Sequence, residues 1–196
     1  MHRSQPRLSI RARLLVPTFS LLFALAALGP SLAAAHQASP APTVRYTVTD
    51  LGTLGGANSF GVALNGKGHV VGESEIAVPV SGTPGAGTAD NPPPKHAFLW
   101  RDGTMIDLGT LGGATSRTAG INDADHVAGV ADTADGKRHA FLWKDGVMQD
   151  LGTLGGDQSE AIGINNHDQI SGLSTTAPGQ ELGDPGTHAF LWENGA

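Results

Sequence analysis

The sequence contains no cysteine. No disulfide framework is available to staple a small fold, so packing must hold it together. Aromatic residues make up only 5% of the chain. Beyond the first 35 residues no segment keeps a helical hydrophobic period, which argues against a helical or mixed domain. The chain has no G-x-S-x-G nucleophile elbow, no H-E-x-x-H zinc motif and no phosphate-cradling loop. Gly112-Gly113 and its relatives are too short and wrongly placed for a dinucleotide fingerprint. Paired carboxylates for glycoside hydrolysis cannot be singled out in an acidic chain without distances.

The first 35 residues carry no acidic side chain and four arginines, Arg3, Arg7, Arg11 and Arg13. An apolar run follows from Leu14 to Leu28, interrupted only by Pro17, Thr18 and Ser20. Pro30 and Ser31 break it, and Ala33-Ala34-Ala35 offers small residues to a peptidase. Residues 1–35 therefore read as a cleavable signal peptide, helical in its apolar part, with cleavage before His36. The expected location is extracellular or periplasmic. The run is short for a membrane span of about 20 residues, and no later segment is apolar enough to cross. Without the leader, eight basic residues face 18 acidic ones, a net charge of −10. That balance argues against nucleic acid and anionic lipid as partners.

What the sequence does have is repetition, which governs architecture before any local preference. His96 to Gly113 reads HAFLWRDGTMIDLGTLGG, His139 to Gly156 reads HAFLWKDGVMQDLGTLGG, and HAFLW returns at 188–192. The DLGTLGG half stands at 50–56, 107–113 and 150–156. All three Trp residues fall inside this motif. A second unit, S-x-x-x-G-I-N in two of its copies, begins at Ser59, Ser116 and Ser159. Each copy ends on Asn, turns through polar residues and returns as an apolar run closing on Gly72, Gly129 or Gly172. This is strand, hairpin, strand.

A connector of variable length leads into HAFLW. It is longest at Glu75 to Lys95, where the insert is rich in Pro and Gly. Such length variation marks an exposed loop. Asp102-Gly103, Asp145-Gly146 and Asn194-Gly195 are preferred centres of two-residue hairpin turns. The next strand, Thr104 to Gly109 or Val147 to Gly152, is therefore expected antiparallel to HAFLW.

The expected unit is four short antiparallel strands in about 43 residues, the dimensions of a β-propeller blade. HAFLW places His, Phe and Trp on one face and Ala and Leu on the other, as a sheet stacked between two others requires. The turns lie at one end of the sheet, GTLGG and the variable insert at the other. Residues 36–43 read as a linker and 44–196 as the β domain of about three blades. Val44 to Gly52 alternates β-branched and polar residues and reads as a strand that completes the last blade. Three blades are fewer than the usual four to eight. The chain is then either part of a longer array or associates to close a ring. A β-solenoid is the structural alternative.

HAFLWxDGxMxDLGTLGG, followed by SxAxGIN and a Gly-closed strand, resembles the HAF family of extracellular repeats from Tyr46 to Ala196. The resemblance implies export and a repeat-built, propeller-like β fold. It implies no established activity for particular residues.

Three candidate groups remain. His96, His139 and His188 recur once per unit, and three imidazoles on a common axis could hold a metal. The alternative is that each His opens its strand and bonds a neighbouring loop. Asn122, Asp123 and Asp125 resemble the start of a calcium loop, but the bidentate Glu at its end is missing, which favours a solvated turn. Asp50, Asp107 and Asp150 suit acceptance of backbone N–H groups from the glycine loop. No catalytic, cofactor or metal residue is assigned on this basis. The connectors at Glu75 to Lys95 and Thr175 to Thr187 are the expected recognition loops. The expected function is a secreted binding or surface-interaction module for an unidentified extracellular ligand or surface. An exported propeller hydrolase or lyase with its site in absent blades, and a self-associating structural protein, are the alternatives.

Overall fold

The structure, a computed structural model, describes residues 45–77 and 92–193. The expected signal peptide, the 36–43 linker and most of the first insert lie outside them. The chain divides into two compact units, Met1–Asp50 and Leu51–Ala196. Among the described residues the second unit is all-β, with eleven strands and no helix.

The strands form three antiparallel sheets. Sheet 1 holds β1 (Gly55–Leu64), β2 (Val70–Ile76), β3 (Lys95–Arg101) and β4 (Thr104–Asp107) in that order. Sheet 2 repeats the order with β5 (Gly112–Ile121), β6 (Val127–Thr133), β7 (Arg138–Lys144) and β8 (Val147–Asp150). Sheet 3 has three strands, β9 (Ser159–Ile164), β10 (Ile170–Thr175) and β11 (Thr187–Trp192). Each is a meander in chain order, as the Asp-Gly hairpins require. Asp102 and Asp145 stand at φ 52° and their glycines at 80° and 85°, the left-handed pair of a type I′ turn.

The two-faced character of HAFLW decides the stacking. In sheet 2, Phe141 and Trp143 meet Val71, Ala97 and Leu99 of sheet 1. On the opposite face, Ala128, Ala140 and Leu142 meet Ala161 and Ile170 of sheet 3, with Phe190 and Trp192 beside them. Each sheet therefore offers its Ala/Leu face to the aromatic face of the next. Sheets 1 and 3 cover opposite faces of sheet 2, and β5 and β9 run along the sheets before them.

The glycine that closes each second strand has a specific task. Gly72, Gly129 and Gly172 pair in register with Phe98, Phe141 and Phe190. A Cβ at Gly129 would lie 2.8 Å from the Phe141 ring and 2.0 Å from the Arg117 carbonyl oxygen. Only a bare backbone lets the ring lie across the neighbouring strand while β5 stays in place.

One expectation is corrected. Val44 to Gly52 does not form a strand across its described part: residues 45–50 have no ladder, and Tyr46 and Val48 are 84% and 81% exposed. Thr47-Val48-Thr49-Asp50 corresponds to β4 and β8, which exist by pairing with the HAFLW strands β3 and β7. Among the described residues the last sheet has three strands, with β11 at one edge.

Candidate interaction surface

The most elaborate polar cluster sits where the first hairpin turns of successive sheets meet. Asn65 is buried and donates from Nδ2 to the Asn122 carbonyl at 3.0 Å and to Asp125 Oδ1 at 2.8 Å. Its own Oδ1 accepts the N–H groups of Lys67 and His69, both at 3.1 Å, and so shapes the turn. His69 Nδ1 lies 2.8 Å from Asp125 Oδ1. A carboxylate can only accept, so this nitrogen carries the proton. Lys67 and Arg101 approach the other oxygen at 3.4 and 3.7 Å.

The same joint recurs one sheet further on. Asn122 Nδ2 donates to the Asn165 carbonyl at 3.0 Å and to Asp168 Oδ1 at 2.8 Å. His126 Nδ1 reaches that oxygen at 2.6 Å and Lys144 the other at 3.2 Å. Asp125 and Asp168 take φ values of 68° and 59°, a conformation Asp tolerates better than most side chains. The Asn/His–Asp bonds are directional, with Asn and His of one sheet donating and Asp of the next accepting, whereas Asn166 Nδ2 of sheet 3 donates back to Asp123 of sheet 2 at 2.8 Å. Two sequence changes break the series. Gly68 stands in the first turn where Asp125 and Asp168 stand in the others, and Gln169 replaces His in the third.

Burial pushes the Asp125 carboxyl upward, but bonds from His69 and Asn65 and the nearby charges of His69 and Lys67 outweigh it. The net result is below the ordinary value of 3.8. Asp168 is held low in the same way, burial being overcome by His126, Lys144 and Asn122. A lowered folded value means the contribution is complete above the ordinary carboxylate pKa and is lost as pH falls through the lower one. The melting temperature is therefore expected to stay level from neutral pH to about pH 5 and to fall below about pH 4. Asp125→Asn is expected to melt lower at pH 7 and to show a shallower acid limb. An unchanged acid limb in Asp125→Asn with Asp168→Asn would show that these joints do not couple folding to protons.

A second set of bonds ties each DLG loop to the stack. Ser116 Oγ accepts the Ala97 N–H of the preceding sheet at 2.9 Å and donates to the Gly109 carbonyl at 2.5 Å. Ser159 does the same for Ala140 and Gly152, at 2.9 and 2.6 Å. His96 Nδ1 lies 2.9 Å from both oxygens of Asp107, and His139 Nδ1 lies 3.0 and 2.8 Å from those of Asp150. Asp107 and Asp150 also accept the N–H of Gly109 and Gly152 at 2.8 and 2.7 Å.

His96 and His139 are held by strand-end carboxylates, and no three His, Asp or Glu side chains converge among the described residues. Asp107 and Asp150 take the expected glycine-loop bonds. Asp125 corrects the expectation of a solvated turn: its side chain is only 12% exposed and belongs to the joint between sheets. His69, His126 and Asp168 were missed as site residues. The available signal was the recurrence of His and Asp at fixed offsets after the buried Asn.

The connectors lie at the end opposite the turns, as expected for the described part. The Thr175 to Thr187 connector meets the residue just after the third DLGTLGG segment, with Gly179 N–H donating to Asp157 at 2.7 Å. Lys137 from the sheet 2 connector also reaches Asp157 at 2.9 Å. Beside the first strands are two shallow cavities of ≈ 280 and ≈ 220 Å³, both touching Arg117. Arg117 and Arg138 approach Glu160 at 3.8 and 3.7 Å, so the charges there face one another. Both hollows fall short of the roughly 300–1,000 Å³ that encloses an organic ligand.

The outer sheets carry exposed apolar side chains, although Phe98 of sheet 1 is buried. Leu64 is 70% exposed, whereas its counterparts Ile121 and Ile164 pack on the preceding sheet. Leu191 is 61% exposed, whereas Leu99 and Leu142 are covered by the following one. Phe60 is also exposed, with the Lys95 ammonium 4.8 Å above its ring.

The class this geometry defines over the described residues is an all-β array of tandem antiparallel meanders joined by repeated polar contacts. No family model matches the chain, and no curated protein or solved structure is significantly similar to it.

Proposed function

We propose that this chain is an exported, propeller-like repeat protein of the HAF type that works as a binding or surface-interaction module. One observation carries the reading. The ionisable groups that recur with the fold and are built into complete sheets are taken up by it: His96 and His139 by Asp107 and Asp150, His69 and His126 by Asp125 and Asp168. Large apolar side chains nevertheless stand exposed, among them Phe60, Leu64 and Leu191. The HAFLW and DLGTLGG motifs and the basic, apolar leader support the same reading from the sequence.

Exposed apolar patches on a folded domain mark contact sites. The purified chain is expected to be retained on a phenyl matrix at moderate salt. Leu64→Ser with Leu191→Ser is expected to elute several-fold earlier while keeping its circular dichroism spectrum. Turnover of a glycan or peptide substrate that one point mutation abolishes would overturn the proposal in favour of an enzyme.

A further inference from the structure

We infer that Asn65 is a self-modification site: its side-chain amide is converted to a carboxylate through the Gly66 backbone nitrogen whenever the joint between sheets 1 and 2 opens. The product keeps that joint from closing again.

The sequence supplies the reactive pair. In Asn65-Gly66 the second residue has no Cβ, so no side chain shields the Asn65 Cγ from the next backbone nitrogen. The Gly66 nitrogen gives up its proton and bonds to Asn65 Cγ. The Cγ–Nδ2 bond breaks, and Nδ2 takes up the proton and leaves as ammonia. Water then opens the resulting five-membered ring at either carbonyl. The products are aspartate and its isomer, whose backbone runs through the side-chain carbon. Overall, one amide and one water give one carboxylic acid and one ammonia. The other two turn asparagines, Asn122 and Asn165, are followed by Asp123 and Asn166, so the exposed pair is confined to the first joint.

In the closed joint the reacting groups are all engaged. Asn65 is 6% exposed. Its Nδ2, the leaving group, donates to the Asn122 carbonyl at 3.0 Å and to Asp125 Oδ1 at 2.8 Å. Its Oδ1 accepts the N–H groups of Lys67 and His69, which fixes the amide plane. The nucleophile is held as well: the Gly66 N–H donates to Asp123 Oδ1 at 2.8 Å. The bonds to Asn122, Asp123 and Asp125 all run to the turn between β5 and β6 of sheet 2. Parting the sheets at this end therefore frees the leaving group and the nucleophile in one movement. Gly66 lies at the surface, so water is at hand.

The product does not fit the closed joint. A carboxylate can only accept, and it would face the Asn122 carbonyl and Asp125 Oδ1, which also only accept. Two carboxylates in hydrogen-bond contact repel. The isomer adds a methylene to the backbone of the turn as well. A reversible opening is thus turned into a permanent one, and Asn65 records how often the joint has opened.

The test uses the unmodified chain at neutral pH, folded and in urea. Acid formation at Asn65 is followed by peptide mass mapping, which separates it from the second Asn-Gly pair, Asn194-Gly195. The folded rate is expected to be about tenfold or more below the urea rate, because only the open fraction reacts. Equal rates would overturn the gating. A faster folded rate would overturn it too, since Asp123 would then be a base that activates Gly66. Asp123→Ala, at an exposed position, is expected to raise the folded rate about tenfold, the scale of one hydrogen bond to a charged group, and to leave the urea rate unchanged. A folded rate that stays level or falls in this variant removes Asp123 as part of the lock. Asn65→Asp, which carries the product's charge, is expected to melt several degrees lower than the unmodified chain. Melting at the same temperature would refute the claim that the product holds the joint open.

Discussion

Gly129→Ala is expected to destabilise the protein by about 3 kcal/mol or more, the upper range for forcing a methyl into a filled space. The new Cβ would sit 2.0 Å from the Arg117 carbonyl oxygen and 2.8 Å from the Phe141 ring. The oxygen belongs to the backbone of β5 and cannot rotate away. Either β5 separates from β6 or the ring leaves its place, and both undo contacts of the central sheet. The melting temperature is expected to fall by roughly 6–12 °C. Gly120→Ala is the matched control. A Cβ there would meet Ile164 at 3.6 Å, an ordinary contact, at a backbone angle open to any residue. It is expected to be close to neutral, or slightly stabilising through the unfolded chain. Equal melting temperatures for the two variants would refute the assigned role of Gly129.

Phe141→Ala is expected to cost about 3–5 kcal/mol, the usual range for emptying a core aromatic site. Phe141 is fully buried, and its ring both crosses Gly129 and fills the space between sheets 1 and 2. Urea denaturation is expected to shift to a lower midpoint with little change in slope. The Gly129→Ala, Phe141→Ala double variant is expected to lose less than the sum, since removing the ring relieves one of the two clashes. Strict additivity would place the ring and the glycine in separate environments, contrary to the geometry.

Much of the fold was legible because the repeats print the same instructions several times. The alternation in HAFLW, the Asp-Gly turns and the positive-φ glycines of DLGTLGG each name a local conformation. Together they lead to four-stranded meanders stacked Ala/Leu face to aromatic face. The Val44 to Gly52 stretch shows the limit. Its alternation gives β preference, but a strand also needs a neighbour, and local pattern says nothing about whether one is at hand. The Gly72, Gly129 and Gly172 series was visible as a closing residue, yet its pairing with Phe appears only once register is known. The turn joints were the least legible part. Asp125 resembled a solvated turn residue because its partners, Asn65 and His69, lie more than 50 residues earlier in the sequence. Recurrence of Asp168 with Asn122 and His126 was the one clue in the primary structure, and Gly68 and Gln169 obscured it by breaking the period.

The one-way Asn/His-to-Asp bonds of those joints also bear on how such chains change length. A sheet that gives on one side and receives on the other can be duplicated or deleted as a cassette, and the flanking pieces still match. Gly68 and Gln169 mark the exceptions: the first sheet has lost the means to receive, the third half the means to give. Insertions between them would be accommodated without redesign, while extension past either would first have to restore the missing half of the clasp.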